Sequence, residues 1–416
     1  MTSLPRAGGF DDAVRVLRDP HGYISDRARG IGSDAFETRI ALRKVICLTG
    51  ADAAALFYDE QRFVRAGAMP EPVGKTVFGE GGVQGLDGEP HRHRKGMLLA
   101  LTTPERVAEL TRIASAEWDE VARAWTARER VVVYDEVRDI IARAVCRWAG
   151  VPVDVAEMAP RARDLALLFE GVIPTGPKHL KARLARGRLE RWAGRLIDAI
   201  RDGRLQPATD SALQAIAAHR DRDGGLLPAK VAAVELLNIL RPTVAVAVWV
   251  TFGALALHRL PAWRARLTNG SDADREAFAQ EVRRYFPFAP FVSARVREPF
   301  EWHGFEFPAG RMALLDLYGT NHDRRIWGDP ERFRPERFLE RDPGAFEFMP
   351  QGGGDAQETH RCAGEWPTLA LLKQGVAFLA GAVAYEVPEQ DLRIVRSAVP
   401  PLPRSRFVLA GLRQLT

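Results

Sequence analysis

A single cysteine precedes a predicted helix near the carboxyl end of the chain. Cys362 follows the glycine-rich residues 351–355 and comes shortly before an apolar helix predicted over residues 369–384. Peptide N–H groups at the start of a helix stabilise a thiolate, because they point partial positive charge at the sulfur. The position therefore predicts a thiolate that can ligate a metal. Taken alone, it equally fits a small buried residue, which is the more common role of cysteine.

An arginine and a proline interrupt the most apolar predicted helix, residues 231–257. Pro242 removes one main-chain hydrogen bond and bends the helix, which opens a groove. Arg241 projects a permanent cation there, and a carboxylate can accept two parallel hydrogen bonds from a guanidinium. The pair indicates a site for a carboxylate ligand. The alternative is a structural kink whose arginine pairs with an acidic side chain of the protein itself.

The composition fits one large folded chain. Its 416 residues are 46% hydrophobic, and no linker, repeat or low-complexity tract divides them, so we expect a single domain over residues 1–416. The net charge of +5 arises from 59 basic and 54 acidic residues spread along the chain. Such a mixed surface argues against a nucleic-acid partner.

The cysteines and the apolar runs predict a cytoplasmic location. Cys47, Cys146 and Cys362 are odd in number and far apart, which favours neither a disulfide framework nor a zinc site. Residues 1–12 contain no apolar signal segment. The longest apolar run, residues 244–257, is shorter than the roughly 20 residues needed to cross a bilayer. We expect it to form a buried core helix and no membrane span.

Helices dominate the elements that must position these groups. Alternating apolar residues over 35–48 predict a hairpin of half-buried strands. Thr103-Pro104-Glu105 predicts a helix start, with the helix continuing to about residue 125. Further helices are expected over residues 137–148 and 184–202. The tail, residues 392–412, predicts a hairpin with a proline-rich tip.

Three charged residues upstream of the cysteine carry a family resemblance. Glu281 and Arg284 are spaced to pair on one helix face, and Arg337 follows in a proline-bent segment. Singly, each predicts a surface salt bridge. In this order before Cys362, and with residues 321–327, they resemble the Glu-Arg-Arg triad region of the cytochrome P450 family. The resemblance implies a mainly α fold with small β-sheets, in which haem b lies between the long central helix and the Cys-loop helix, ligated by Cys362.

Departures from the usual pattern indicate a branch of that family. Arg241 and Pro242 stand where an oxygen-activating P450 usually carries an acid and an alcohol. With Gln84 in residues 83–88, and with the loop 350–362, they resemble the bacterial fatty-acid peroxygenases, which use hydrogen peroxide directly. The resemblance implies that Arg241 binds the fatty-acid carboxylate and that Gln84 lies on the distal side of the haem. In that branch histidine at this place accompanies decarboxylation and glutamine accompanies hydroxylation, so we expect hydroxylation with minor decarboxylation.

The resemblance also nominates residues that contact the haem and the acyl chain. For the haem propionates they are Arg65, His91, Lys95, Tyr318 and His360. For the acyl chain they are Val77, Phe78, Phe169, Val172, Phe288 and Phe291, each of which also fits an ordinary core position. Residues 356–359 and Ala363 depart from the aromatic-Gly and Pro that the branch often shows there, which puts the packing of the Cys loop in question.

We therefore expect a haem-thiolate peroxygenase that hydroxylates long-chain fatty acids at the α or β carbon. The carboxylate held by Arg241 would act as acid and base toward hydrogen peroxide. The protein would work as a monomer and without an obligatory reductase. One alternative is a conventional redox-partner-dependent monooxygenase, which the missing acid-alcohol pair disfavours. The other is a non-catalytic haem- or lipid-binding protein, which an assay for product would exclude.

Overall fold

The computed structural model describes residues 2–415, and helices make up most of its regular structure. The helices are α1 (Ala13–Arg18), α2 (Tyr23–Ile31), α3 (Ala51–Phe57), α4 (Glu71–Val77), α5 (Gly88–Ala100), α6 (Pro104–Trp125), α7 (Val133–Trp148), α8 (Val155–Glu170), α9 (Gly176–Arg201), α10 (Ala212–Ala218), α11 (Ala229–Val244), α12 (Val246–Arg259), α13 (Pro261–Thr268), α14 (Asp272–Tyr285), α15 (Leu317–Thr320), α16 (Arg324–Trp327), α17 (Arg337–Glu340) and α18 (Glu365–Gly381). A 3₁₀ turn covers Val83–Gly85. The predicted mainly α class is confirmed.

The strands form three small sheets. They are β1 (Ala35–Ile40), β2 (Arg43–Leu48), β3 (Phe63–Val64), β4 (Arg130–Val132), β5 (Phe291–Val296), β6 (Phe300–Trp302), β7 (Phe305–Phe307), β8 (Met312–Asp316), β9 (Val383–Glu386) and β10 (Val408–Gln414). The largest sheet has the order β1-β2-β8-β5-β3. Its β1–β2 hairpin is the one predicted from the alternating residues, and the two turn residues Ala41 and Leu42 both have positive φ, which matches the right-handed twist of the strands.

The predicted hairpin at the chain's tail is present over residues 391–405, with a proline-containing tip. The Val395 N–H donates to the Leu402 carbonyl at 3.1 Å, the Arg404 N–H donates to the Arg393 carbonyl at 3.0 Å, and Ile394 bridges Pro403. Pro400 and Pro401 lie in the connection between the two segments, where no ladder N–H is required. The end of the tail is not part of this hairpin, because residues Val408–Gln414 form β10, which pairs with β4 and β9.

The long central helix is two helices that meet at Ala245. Pro242 has no N–H to give to the residue four positions back, and shortly after it the Val248 N–H bonds the Ala245 carbonyl, only three positions back. α11 packs against α8, α9 and α10, whereas α12 packs against α13, α14 and α18. The kink predicted from Pro242 is present as a change of hydrogen-bond register.

Residues Ala229–Arg259 together are long and apolar enough to span a membrane by length and composition. However, 78% of their most apolar window is buried inside the protein, as in a core helix. Trp249 stacks on Phe288 at 4.7 Å between ring centroids, and Phe252 stacks on Phe286 at 4.5 Å. These contacts join α12 to the segment that leads into β5.

Candidate active site

The Cys362 loop is tied down by main-chain and side-chain contacts. The Cys362 N–H donates to the Gln351 carbonyl at 3.0 Å, and α18 begins three residues later, at Glu365. Burial raises the pKa of the thiol, while the Gly364 N–H, the Gln351 side chain and the Lys95 ammonium act to lower it. The thiol-bearing residue remains partly exposed. These donors favour the thiolate once a cationic metal lies against the sulfur.

The predicted triad is assembled and buried. Arg284 makes a two-pronged contact with Glu281, with N–O distances of 2.7 and 2.9 Å, and both side chains are fully buried. Arg337 joins the same carboxylate at 3.2 Å. Arg284 also donates to the Asn321 carbonyl, and the Asn321 side chain accepts from the Met349 N–H at 2.8 Å. The triad therefore fixes the segment that leads into the Cys loop.

The loop departures at residues 356–359 do not open the Cys loop. Asp355 accepts hydrogen bonds from the N–H groups of Gln357 and Glu358, and the Thr359 hydroxyl donates to the Gly353 carbonyl at 2.8 Å. These short-range bonds replace packing by an aromatic residue. The loop thus closes on itself with polar side chains.

Two histidines and a lysine form a cluster beside the Cys loop. His91 and Lys95 lie one turn apart on α5, and the His91 ring stacks on His360 at 3.8 Å. The Lys95 ammonium donates to the carbonyls of Thr359 and Arg361, and burial lowers its pKa to about 8. His91 Nδ1 is buried without a hydrogen-bond partner within residues 2–415. His360 Nε2 is also buried, and its nearest acidic group is Asp87 Oδ1 at 3.8 Å.

A buried ring nitrogen without a partner, beside an ammonium, suits an acidic group of a ligand, because buried polar atoms are otherwise hydrogen-bonded. His91, Lys95 and His360 would be the residues that hold the propionates of a haem ligated by Cys362. The donor set of His91, Lys95 and His360 therefore fits the cofactor. Arg65 lies nearby, with its guanidinium over the Phe57 ring at 4.4 Å and one N–H donating to the Ser293 carbonyl at 2.8 Å. Its remaining donors can serve the same ligand.

The structure does not bring Tyr318 to this cluster. Its ring stacks on His322 at 4.1 Å and meets the edge of His21 at 5.6 Å. His21 and His322 are buried and Tyr318 is half-buried, next to the Arg396 side chain that pairs with Asp19. The nomination of Tyr318 as a propionate contact finds no support in its contacts.

Arg241 places a buried guanidinium on α11. Its side chain is 7% exposed, yet within residues 2–415 no carboxylate lies within 4.0 Å of it. One N–H donates to Asn238 Oδ1 at 3.3 Å, the guanidinium covers the Phe78 ring at 5.1 Å, and Nε has no partner. Burial and the nearby Arg186 lower its pKa to about 9, whereas the Cys362 sulfur opposes that shift. The alternative of a structural arginine paired with an internal acid is therefore not what the fold contains.

Gln84 reaches Arg241 through one intermediate side chain. The Asn238 amide donates to Gln84 Oε1 at 3.0 Å and accepts from Arg241. Glu235, fully buried one turn earlier, accepts from Asn238 and from the Val83 N–H at 2.8 Å. The 3₁₀ turn that carries Gln84 is thereby fastened to α11.

Arg94 compensates the Glu235 charge. Its guanidinium contacts Glu235 at 3.0 Å, the Gly81 carbonyl and Asp221 at 2.6 Å. Burial nevertheless raises the pKa of Glu235. The sequence reading missed Glu235, Asn238 and Arg94. Their signal was the spacing of Glu235, Asn238 and Arg241 at three-residue intervals, which puts them along one face of the helix.

The nominated apolar residues are only partly brought together. Val77 and Phe78 end α4, and the buried Arg186 of α9 donates to both of their carbonyls. Phe78 alone is seen against Arg241. The structure places the others as follows: Phe169 in the main core at the end of α8, Val172 in the loop after α8, Phe288 stacked on Trp249, and Phe291 at the start of β5.

Comparison with known proteins agrees with this geometry. The family model described as Cytochrome P450 matches residues 276–372, which hold the triad helix, Arg337 and the Cys362 loop. A solved structure of a Cytochrome P450SP alpha (CYP152B1) variant superposes with a TM-score of 0.95 at 49% sequence identity, covering 98% of this chain and all of that one. The chain belongs to the cytochrome P450 family.

Two further P450 structures place it in the CYP152 branch. Cytochrome P450EX alpha (CYP152N1), solved with myristic acid, matches with a TM-score of 0.96 at 43% identity over the full length of both chains. A variant of cytochrome P450 OleT, solved with arachidonic acid, matches with a TM-score of 0.97 at 30% identity, covering 100% of this chain and 99% of that one. The predicted fold, the predicted family and the assignment to the fatty-acid peroxygenases are confirmed. The cofactor of this P450 is haem.

Proposed function

We propose that this P450 uses hydrogen peroxide to hydroxylate long-chain fatty acids at the α carbon, and to a lesser extent at the β carbon. The observation that carries the proposal is the buried Arg241 guanidinium, which faces Phe78 and has no internal carboxylate partner. A fatty-acid carboxylate supplies the missing anion and can accept two parallel hydrogen bonds.

The anchored carboxylate is also the proton carrier in this proposal. Once bound by Arg241, it accepts a proton from one oxygen of hydrogen peroxide and returns it to the other, as an acid-base group would. Such transfer is typically worth about 10²- to 10⁴-fold in rate. When bound, the haem supplies the oxidising chemistry, and donation from the Cys362 thiolate favours cleavage of the O–O bond. The substrate thus takes the place of the acid and alcohol that the central helix lacks.

Anchoring sets the regiochemistry. With the carboxylate held by Arg241, only the first carbons of the chain can reach the reacting centre, because the tether is one carboxyl group long. Gln84 is bonded to Asn238 through its carbonyl oxygen, so its own amide N–H groups remain as donors. A glutamine is neutral at all ordinary pH and offers no titrating proton, which favours hydroxylation over decarboxylation. We expect only minor decarboxylation.

The comparisons favour the same assignment over the alternatives. The P450EX alpha and OleT structures hold fatty acids, so a long apolar acid is the ligand class of the branch. We further propose that the protein needs no reductase and works as a monomer in the cytoplasm. Cell fractionation and light scattering test those last two points.

The deciding experiment assays the haem-loaded protein with saturated acids of about 10 to 18 carbons. One arm receives hydrogen peroxide alone, and the other receives dioxygen, NADPH and a surrogate reductase system. Mass spectrometry should find 2-hydroxy acids, with fewer 3-hydroxy acids, in the peroxide arm only. Product in the reductase arm alone would identify a conventional monooxygenase. Substrate binding without product in either arm would identify a carrier.

A further inference from the structure

Three metal-ligating side chains converge away from the haem site. His93 lies on α5, and His219 and Asp221 lie in the connection between α10 and α11. One potential ligand atom from each residue lies within 4.8 Å of the others. The two imidazole rings are 5.1 Å apart between centroids and inclined at 41°. A single ion can therefore contact all three with small side-chain adjustments.

The contacts of each imidazole leave one nitrogen for a metal. His93 Nε2 lies 2.9 Å from the Arg220 carbonyl, so it carries the proton and Nδ1 keeps its lone pair. This is the outer contact that metal-bound histidines commonly make, because it fixes the tautomer and the ring orientation. His219 Nε2 is buried without a hydrogen-bond partner within residues 2–415.

Asp221 completes the set while it is held in place by the scaffold. Its Oδ2 accepts from Arg94 at 2.6 Å, and within residues 2–415 its Oδ1 accepts no side-chain hydrogen bond. Ligating carboxylates are commonly fixed by such a second contact. Arg94 then continues to Glu235 at 3.0 Å.

We propose that His93, His219 and Asp221 form a divalent transition-metal site, with Zn²⁺ as the ion. Two imidazoles and a carboxylate are ligands that zinc accepts, with a fourth position left to water. In this proposal the ion holds two segments of the chain together and takes no part in the reaction of the fatty acid. A bound ion ties α5 to residues 219–227, two segments more than 100 residues apart in sequence. Because α5 carries His91 and Lys95, the ion would steady the helix that supports the haem propionates.

The test uses the haem-loaded, full-length protein with any affinity tag removed. Titration calorimetry with ZnCl₂ should show one ion per chain with a Kd on the order of micromolar, and metal analysis after dialysis should retain that stoichiometry. Zinc should also raise Tm as its concentration exceeds the Kd, because it binds only the folded chain. Hydrogen exchange should slow in residues 219–227.

Three variants and one control locate the site. His219→Ala, His93→Ala and Asp221→Asn should each weaken zinc binding by about ten-fold or more, as one of three ligands is lost. Asp221→Asn keeps an oxygen for Arg94, so its effect isolates the lost carboxylate charge. His303→Asn is the control, because His303 is exposed and has a positive φ that asparagine tolerates. Soret and circular dichroism spectra confirm that each variant is folded.

Absence of zinc binding by the wild type up to about 1 mM would overturn the proposal, since a three-ligand site binds far more tightly. So would binding that survives in both His219→Ala and His93→Ala, or that His303→Asn weakens equally. Fatty-acid turnover plays no part in these readouts. The test of the metal site is therefore independent of the test of the peroxygenase assignment.

Discussion

The side-chain amide of Asn238 donates a hydrogen bond to Gln84 at 3.0 Å, and its oxygen accepts from Arg241 at 3.3 Å. One residue thus orients both the nominated carboxylate anchor and the nominated distal amide. Asn238 is itself fixed by Glu235, which also holds the main chain next to Gln84. Glu235, Asn238, Gln84 and Arg241 therefore form a connected network in which each side chain limits the freedom of the next.

Replacement of the anchor is the most direct test of the proposed chemistry. Arg241→Ala should abolish peroxide-driven turnover of long-chain acids while haem content and the Soret spectrum stay unchanged. Arg241→Lys should retain a small fraction of activity, because an ammonium attracts the carboxylate but lacks the planar fork. Turnover by Arg241→Ala at the wild-type rate would contradict substrate-assisted proton transfer.

Asn238→Ala should lower kcat/KM by roughly ten- to hundred-fold, because Arg241 and Gln84 lose their common partner and the acid binds in a wider range of poses. The ratio of 2-hydroxy to 3-hydroxy product should fall in the same variant, and product analysis measures it. Ile239→Ala is a matched control on the same helix, since Ile239 contributes to the core but not to this network. An unchanged product ratio in Asn238→Ala would show that Asn238 is not needed to orient Arg241.

Gln84→His should raise the share of terminal alkene among the products. An imidazole titrates near neutral pH and can exchange a proton, which an amide cannot do. Gas chromatography of products from one acid at several pH values measures the share. Gln84→Asn is the control, as it shortens the side chain without adding a titrating group. Equal alkene yields from both variants would rule out the titrating proton as the cause.

Removal of the triad acid should cost stability rather than chemistry alone. Glu281→Ala leaves Arg284 and Arg337 buried without their anion, which typically costs about 3–5 kcal/mol. Purified Glu281→Ala should therefore contain little haem and unfold at lower urea concentration. Glu157→Ala removes an exposed partner of Arg161 and should change the unfolding free energy by less than about 1 kcal/mol. Equal losses in the two variants would refute a special role for burial.

Asp316 predicts a fall in stability between mildly acidic and neutral pH. Burial raises its pKa to about 7, although the Gly319 N–H donates to it at 2.7 Å. The folded state thus holds a proton that the unfolded state releases near pH 4, so stability drops as pH rises from about 4 to about 7. This contribution is at most roughly 4 kcal/mol. Asp316→Asn should flatten the plot of unfolding free energy against pH between pH 5 and 8. Asp52→Asn, at an exposed position, should leave that plot unchanged.

The sequence predicted those parts of the site whose motifs lie within a few neighbouring residues or follow a characteristic order along the chain. Cys362 before a helix, the Glu281 and Arg284 spacing, and the Arg241-Pro242 pair are each visible within a few residues. The hydrogen bond from the Val83 N–H to Glu235 joins positions 152 residues apart, and no periodicity of the sequence predicts it. Networks of this kind depend on how helices pack, which pattern alone does not specify.

Two predictions were only partly right or lost support. The tail hairpin is present over residues 391–405, but the sequence did not predict that the following strand, β10, pairs with β4 and β9. Tyr318 was nominated by position in a matching segment. Its ring instead packs between His21 and His322.

The break at Ala245 divides the central helix into two halves that mutation can change separately. Mutations that reshape α8, α9 or α10 act on α11, which bears Arg241. The helices α13, α14 and α18 pack instead against α12, and α18 is the helix that follows the Cys362 loop. α7 packs against both α11 and α12. Substitutions in α8, α9 and α10 should therefore change which fatty acids are accepted without changing how the haem iron is held. Libraries for the laboratory evolution of chain-length preference should target these three helices.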